Sequence, residues 1–305
     1  MSVCQRLARK TWIAIVVGLA SAATGDALAA TERFQDIQVE VIGTGRPVLM
    51  IPGLNSGAET WRDTCQALQA DRVQCHLVHL PGFAGVPTAK LDAFLPAMRD
   101  RLLAYIDAKQ LQRPVVMGHS LGGVLGLQMA IKAPGAIERL VIVDSLPYLA
   151  AVRDPSMTVE KMRPFAAQMD AGMRASDDAT FLRQAETAAA GMAQAADRIA
   201  LLKQWSASSD RNTTTQAMVE MMITDLRGDV SKIKVPTLVL GAWAAFKPYG
   251  STLESTRAIF ATQFAQLPDV RIEMSQTGYH FIMWDDPTWL QSQVRAFIAP
   301  ERDAT

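Results

Sequence analysis

Ser120 stands at the centre of Gly118-His119-Ser120-Leu121-Gly122-Gly123. An apolar run, Val115-Val116-Met117, precedes it and a helix-forming stretch, Val124 to Ala130, follows. Strand, sharp turn and helix in that order would hold the serine at a positive φ. The residues two before and two after it must then lack side chains, or strand and helix would collide. Gly118 and Gly122 meet that demand, and the G-x-S-x-G pattern is that of a nucleophile elbow, with the hydroxyl presented at the carboxyl end of a strand.

A serine hydroxyl becomes a nucleophile only with a base within hydrogen-bond reach. The chain has 4 histidines, so elimination can work. His119 lies inside the elbow, where its side chain points away from the nucleophile's approach. His76 and His79 belong to an apolar strand that precedes the elbow. Spaced by three along a strand, their rings fall on opposite faces and make no metal pair. His280, in Gly278-Tyr279-His280-Phe281, follows the last predicted strand and is the expected base. Serine, histidine and backbone amide donors are equipment for acyl transfer to water.

These residues need a scaffold. Strands are predicted at Ile37 to Ile42, Val48 to Ile51, His76 to Leu80, Val115 to Met117, Leu140 to Val143, Val235 to Gly241 and Val270 to Met274. Between them run helices at Glu59 to Ala70, Leu91 to Leu111 and after the elbow. A final helix has Asp286 as its expected N-cap and Pro287 at its first position. Alternating strands and helices imply an α/β chain with a mostly parallel sheet covered on both faces. Ligands then sit beyond the strands' carboxyl ends. From 148 to 225 the strands vanish and eight methionines appear, which predicts a helical insertion between core segments 30–147 and 226–305.

At 305 residues and 49% apolar composition the chain can bury a large core, and its net charge of zero gives no reason to expect nucleic acid. Residues 1–29 read as a signal peptide: Arg6, Arg9 and Lys10, then an apolar centre at 12–20 too short to span a bilayer comfortably, then Ala27-Leu28-Ala29. An exported protein, periplasmic or secreted and with no stable membrane anchor after cleavage, is the expectation. Cys65 and Cys75 flank the turn at Asp71-Arg72 at similar heights on antiparallel elements. They could form a structural disulfide or stay as two core thiols.

Taken together, Pro52-Gly53-Leu54, Leu80-Pro81-Gly82-Phe83-Ala84-Gly85, the elbow, Val235 to Gly241 and His280-Phe281 resemble the α/β-hydrolase fold family in order, over nearly all of 36–299. The resemblance implies a serine–histidine–acid triad and an oxyanion hole made by the backbone N–H groups of Leu54 and Leu121. The helical insertion between Asp144 and Val235 should lie above the serine as a cap, and with no metal-ligand spacing and no phosphate-binding glycine loop no cofactor is expected. One departure stands out. Relatives usually carry the acid just beyond the glycine that ends the Val235 strand, but Ala242 to Lys247 contains no carboxylate. Some members place it one strand earlier, which makes Asp144 the expected acid. Asp225, Asp210 and Glu254 are weaker candidates, and Asp285 and Asp286 are better explained by the start of the final helix.

A serine nucleophile argues against halide displacement and epoxide opening, which use aspartate in this fold. The expected activity is hydrolysis of small to medium apolar carboxylic esters by a monomer or homodimer. Lactone, carbon–carbon or peracid chemistry on the same triad is the alternative, and a catalytically inactive binding protein the more distant one. The aromatic residues from Trp243 to Tyr249 could form a pocket wall, and the insertion's methionines are read mainly as packing.

Overall fold

The computed structural model describes residues 30–299; the expected signal segment at 1–29 lies outside them. Strands β1 (Ala30–Phe34), β2 (Ile37–Ile42) and β3 (Arg46–Ile51) lead into α1 (Glu59–Leu68) and β4 (Val73–His79). Then follow α2 (Phe94–Ala108), β5 (Val115–His119), α3 (Leu121–Lys132) and β6 (Arg139–Val143). Four consecutive helices come next, α4 (Val159–Ala175), α5 (Asp178–Ala190), α6 (Ala196–Ser208) and α7 (Arg211–Met222). The described residues continue through β7 (Thr237–Gly241), α8 (Leu253–Gln263), β8 (Val270–Met274), α9 (Ile282–Asp285) and α10 (Pro287–Ile298).

The eight strands form one sheet in the order β1-β2-β4-β3-β5-β6-β7-β8. β1/β2 and β2/β4 are antiparallel, and every later pair is parallel. The period of two explains why the central strands read as unbroken apolar runs. Leu49, Ile51, Val116, Leu140 and Ile142 face a layer that contains residues of α2 and α3. Their neighbours Val48, Met50, Val115, Met117, Val141 and Val143 face the layer of α1 and α10. Each such side chain contributes about 1.5–3 kcal/mol on burial, and a one-residue slip would exchange the two layers and lose their fitted packing, though not their burial.

Register then gathers the site. Ile51 pairs with Gly118, His119 with Val143, Val143 with Leu240, and Gly241 with Met274. Five parallel strands therefore end at one edge, and the loops after them converge there. The four-helix insertion sits on this edge. Its two ends are joined by Leu226 N–H donating to Pro147 O at 3.0 Å. Asp210 N–H bonds to Gly82 O at 2.7 Å and Gly85 N–H to Ser208 O at 3.1 Å. Thr214 Oγ1 is hydrogen-bonded to Asn55 Oδ1 at 2.6 Å.

Some local expectations change. α2 is shorter than the apolar periodicity of 91–111 suggested, and α1 ends in a 3₁₀ turn at Gln69–Asp71. Asp286 is the N-cap residue and Pro287 opens α10 as expected, but the Asp286 side chain makes no cap; its Oδ2 accepts from Ser275 Oγ at 2.7 Å instead. Asp285 ends α9 and accepts from the N–H groups of Gln194 and Tyr279. The stretch after Trp243 is a 3₁₀ turn, Ala244–Tyr249, on which Phe246 and Tyr249 are 58% and 85% exposed, so these two rings face solvent. Cys65 and Cys75 are disulfide-bonded, with Cα atoms 6.0 Å apart.

Candidate active site

Ser120 has φ 52° and ψ −118°, a conformation that costs a non-glycine residue about 1–3 kcal/mol. Packing enforces it. Ser120 N–H donates to Val143 O at 3.0 Å, and the N–H groups of Gly123 and Val124 donate back to Ser120 O. A Cβ on Gly118 would lie 2.1 Å from Gly122 O, and one on Gly122 would lie 2.3 Å from Ile51 O. Those obstacles are backbone, so no rotamer change relieves them. The elbow exists only with glycine at both positions.

The end of β6 is strained in the same way. Asp144 has φ 44°, and its N–H donates to Leu240 O at 2.7 Å. Its carboxylate is held from two directions: Oδ1 accepts from Ala242 N–H at 2.9 Å and Oδ2 from His280 Nδ1–H at 2.6 Å. Ala242 opens the loop where relatives would place their acid. Here that loop supplies a backbone donor to the acid of the neighbouring strand.

His280 lies on the loop between β8 and α9. With Nδ1–H turned to Asp144, its Nε2 lone pair is free to accept a proton. The loop is tied down on both sides. His280 O accepts from His119 Nε2–H at 3.0 Å, and Phe281 N–H donates to Met192 O of the insertion at 3.0 Å. The His119 and His280 rings have centroids 4.5 Å apart. Asp285 and Gln194 add a second tie: Gln194 N–H reaches Asp285 Oδ1 at 3.0 Å, Tyr279 N–H reaches Asp285 Oδ2 at 3.0 Å, and Gln194 Nε2 donates to Thr277 O at 2.6 Å. Burial raises the Asp285 carboxyl above the usual carboxylate range, against the pull of its two backbone donors.

The amides expected to receive an oxyanion are close by. Leu121 is the first residue of α3, so its N–H belongs to the helix-terminal group with no acceptor inside the helix. The helix's positive end points to the same place. A Cβ on Gly53 would sit 3.2 Å from Ser120 Cβ, so the chain carrying Leu54 passes directly beside the serine. Asn55 follows at φ 56°. Ser120, Asp144 and Asn55 thus place three strained non-glycine residues on loops that meet at one edge of the sheet, a clustering found at functional sites.

Sequence reasoning brings Ser120, His280, Asp144, Leu54 and Leu121 to this edge, and the structure places all five there. His119 is fully buried and flanks the elbow from the core side. Sequence reasoning missed the Ala242 donor, the His119–His280 contact and the Gln194–Asp285 tie. Asp225 is bound to Arg227 and Asp210 caps α7, and the structure brings neither to His280. His76 and His79 turn to different partners, Tyr105 with Gln74 and Glu40 respectively.

Comparison with known proteins places the chain in a family. A pimeloyl-[acyl-carrier protein] methyl ester esterase of Aeromonas hydrophila is 28% identical over 209 residues, covering 66% of this chain and 78% of that protein. An Azorhizobium caulinodans protein named as a carbamate hydrolase, RutD, is 28% identical over 255 residues, covering 80% and 88%. The solved enol-lactonase of Burkholderia xenovorans superposes with a TM-score of 0.69 at 16% identity, covering 88% of this chain and 99% of its own, a likeness of fold. The model of the alpha/beta hydrolase family matches residues 48–290, and the chain belongs to that family.

Proposed function

We propose that this protein is a serine hydrolase that cleaves small to medium apolar carboxylic esters through an acyl-enzyme, with Ser120 as nucleophile, His280 as base and Asp144 as orienting acid. The observation that carries this reading is the 2.6 Å hydrogen bond from His280 Nδ1 to Asp144 Oδ2, on a loop bonded to the residue next to Ser120. It leaves Nε2 of His280 as the proton acceptor. Ser120 Oγ attacks the ester carbonyl as its proton passes to Nε2. The oxygen that becomes negative is received by the N–H groups of Leu54 and Leu121. Collapse expels the alcohol, which takes the proton from Nε2, and water repeats the sequence on the acyl-enzyme. Asp144 orients the imidazole and stabilises the imidazolium.

Leu54, partly buried on the loop that passes beside Ser120, supports an apolar substrate. The Cys65–Cys75 disulfide supports an oxidising, exported setting.

A fluorophosphonate probe and a series of p-nitrophenyl esters test the reading. The probe should label Ser120 and fail on Ser120→Ala. Asp144→Ala should lower kcat by about 10⁴-fold, the loss expected when an imidazole loses its orienting carboxylate, while the protein stays folded. Unchanged turnover in that variant would remove Asp144 from the mechanism. Preference for carbamate or strongly polar acyl groups over apolar esters would overturn the substrate class.

A further inference from the structure

The residue beside the nucleophile has the wrong chemistry for simple packing. His119 is fully buried, between the rings of His280 and Phe281, each with its centroid 4.5 Å away, and edge-on to Trp61. Its Nδ1 has no hydrogen-bond partner among the described residues. An unpaired buried acceptor costs about 1–3 kcal/mol, which an apolar ring of similar size would avoid. What the imidazole supplies and a phenyl ring would not is one N–H, donated from Nε2 to the carbonyl of His280 at 3.0 Å.

That bond acts on a single peptide unit. The carbonyl of the 280–281 peptide is held by His119, while its N–H, on Phe281, donates to Met192 O of the insertion at 3.0 Å. The plane of this peptide helps set where the His280 Cα–Cβ bond points. One side of the clamp is His119 itself, the residue adjoining Ser120, so a single side chain links the loop of the base directly to the elbow of the nucleophile. We infer that His119 is a positioning residue, which holds the His280 loop, and with it the imidazole, in place relative to Ser120 through its Nε2–H.

The electrostatics agree. Burial, and then the neighbouring His280, push the His119 ring well below the ordinary histidine range. It therefore stays neutral, with its proton on the nitrogen that faces a carbonyl, and adds no charge beside the imidazolium that forms on His280. The same packing accounts for Gly53, whose Cβ would stand 3.0 Å from His119 Nδ1.

This inference rests on the proposed hydrolase reading, and the test separates the two. His119→Phe keeps the ring and removes the donor; His119→Gln places an amide N–H where Nε2 was. The Phe variant should lose about 10–100-fold in kcat and in the rate of fluorophosphonate labelling, with KM within about twofold of wild type. The Gln variant should recover to within about threefold of wild type. Wild-type rates in a folded Phe variant overturn the inference. So does a folded Gln variant as slow as the expected Phe variant. Should neither variant fold, the His119 ring of the wild-type protein carries the test by ¹⁵N NMR: a neutral Nε2–H tautomer with a slowly exchanging proton supports the inference, and a charged or Nδ1–H ring overturns it. A wild-type protein that the probe does not label would instead sink the hydrolase reading itself.

Discussion

Two buried histidines flank different parts of this molecule, and both are held neutral. His76, on β4, is 3% exposed; its ring meets Tyr105 Oη at 2.9 Å and Gln74 Oε1 at 3.1 Å. Gln74 Nε2 donates to Gly43 O, so Oε1 must face His76, and the His76 proton belongs on Nε2 with Nδ1 accepting from Tyr105. Burial lowers the imidazole from 6.5 to about 4. A depressed base takes up its proton on unfolding, so the stability it protects is complete above about pH 6.5 and falls as pH drops towards about 4. The span corresponds to about 3 kcal/mol. His119 acts in the same direction. Urea midpoints should therefore fall between about pH 7 and about pH 4.5, and fall less in His76→Gln; parallel curves for the two proteins would place the titration elsewhere. Residue types alone told much about the site, because Ser120 and His280 are tied to motifs whose sterics admit few alternatives. The Ala242 donor was invisible: a backbone N–H carries no signature in residue type. Asp144 could be reached only through the absence of a carboxylate from 242–247.

Strands and helices were legible for a similar reason. The parallel strands are buried on both faces and read as apolar runs, whereas α2 gave its length poorly because its start has no cap of its own. Ala93 makes no side-chain cap to that helix. The N–H groups of Phe94 and Leu95 instead donate at 2.8 Å to the two carboxylate oxygens of Glu220, from α7. A residue some 125 positions away caps the helix, which no local pattern reveals. Gln216 Nε2 steadies the same carboxylate at 3.0 Å. This contact both satisfies a helix terminus, where a negative charge is favoured, and fastens the insertion to the core. Glu220→Ala should cost about 1–3 kcal/mol. In thermal melts that is a shift of about 2–4 °C per kcal/mol. Glu220→Gln, which keeps one acceptor, should lose less. Equal melting temperatures for all three proteins would mean that water replaces the carboxylate without loss.

The assembled molecule separates what holds it together from what reacts. The disulfide joins Cys65 of α1 to Cys75 of β4 across 10 residues of sequence, on the face that also carries α10. The site lies at the strands' carboxyl ends, tied to the insertion by the 82–85, 192–194 and 208–214 segments. Closing a loop of that length removes denatured-state freedom worth about 3 kcal/mol, a contribution felt chiefly by the unfolded chain. Its loss should therefore lower stability and spare the chemistry. Both half-cystines are fully buried, so reductant would act mainly through opened molecules, and the double substitution Cys65→Ala with Cys75→Ala is the cleaner probe. It should lower stability by about 2–5 kcal/mol while kcat, measured well below the melting range, stays within about twofold. Loss of kcat in a protein that remains folded would show that the α1–β4 corner reaches the site. The route for that exists: α1 begins directly after Gly57 and Ala58, at the end of the loop that carries the Leu54 amide past Ser120.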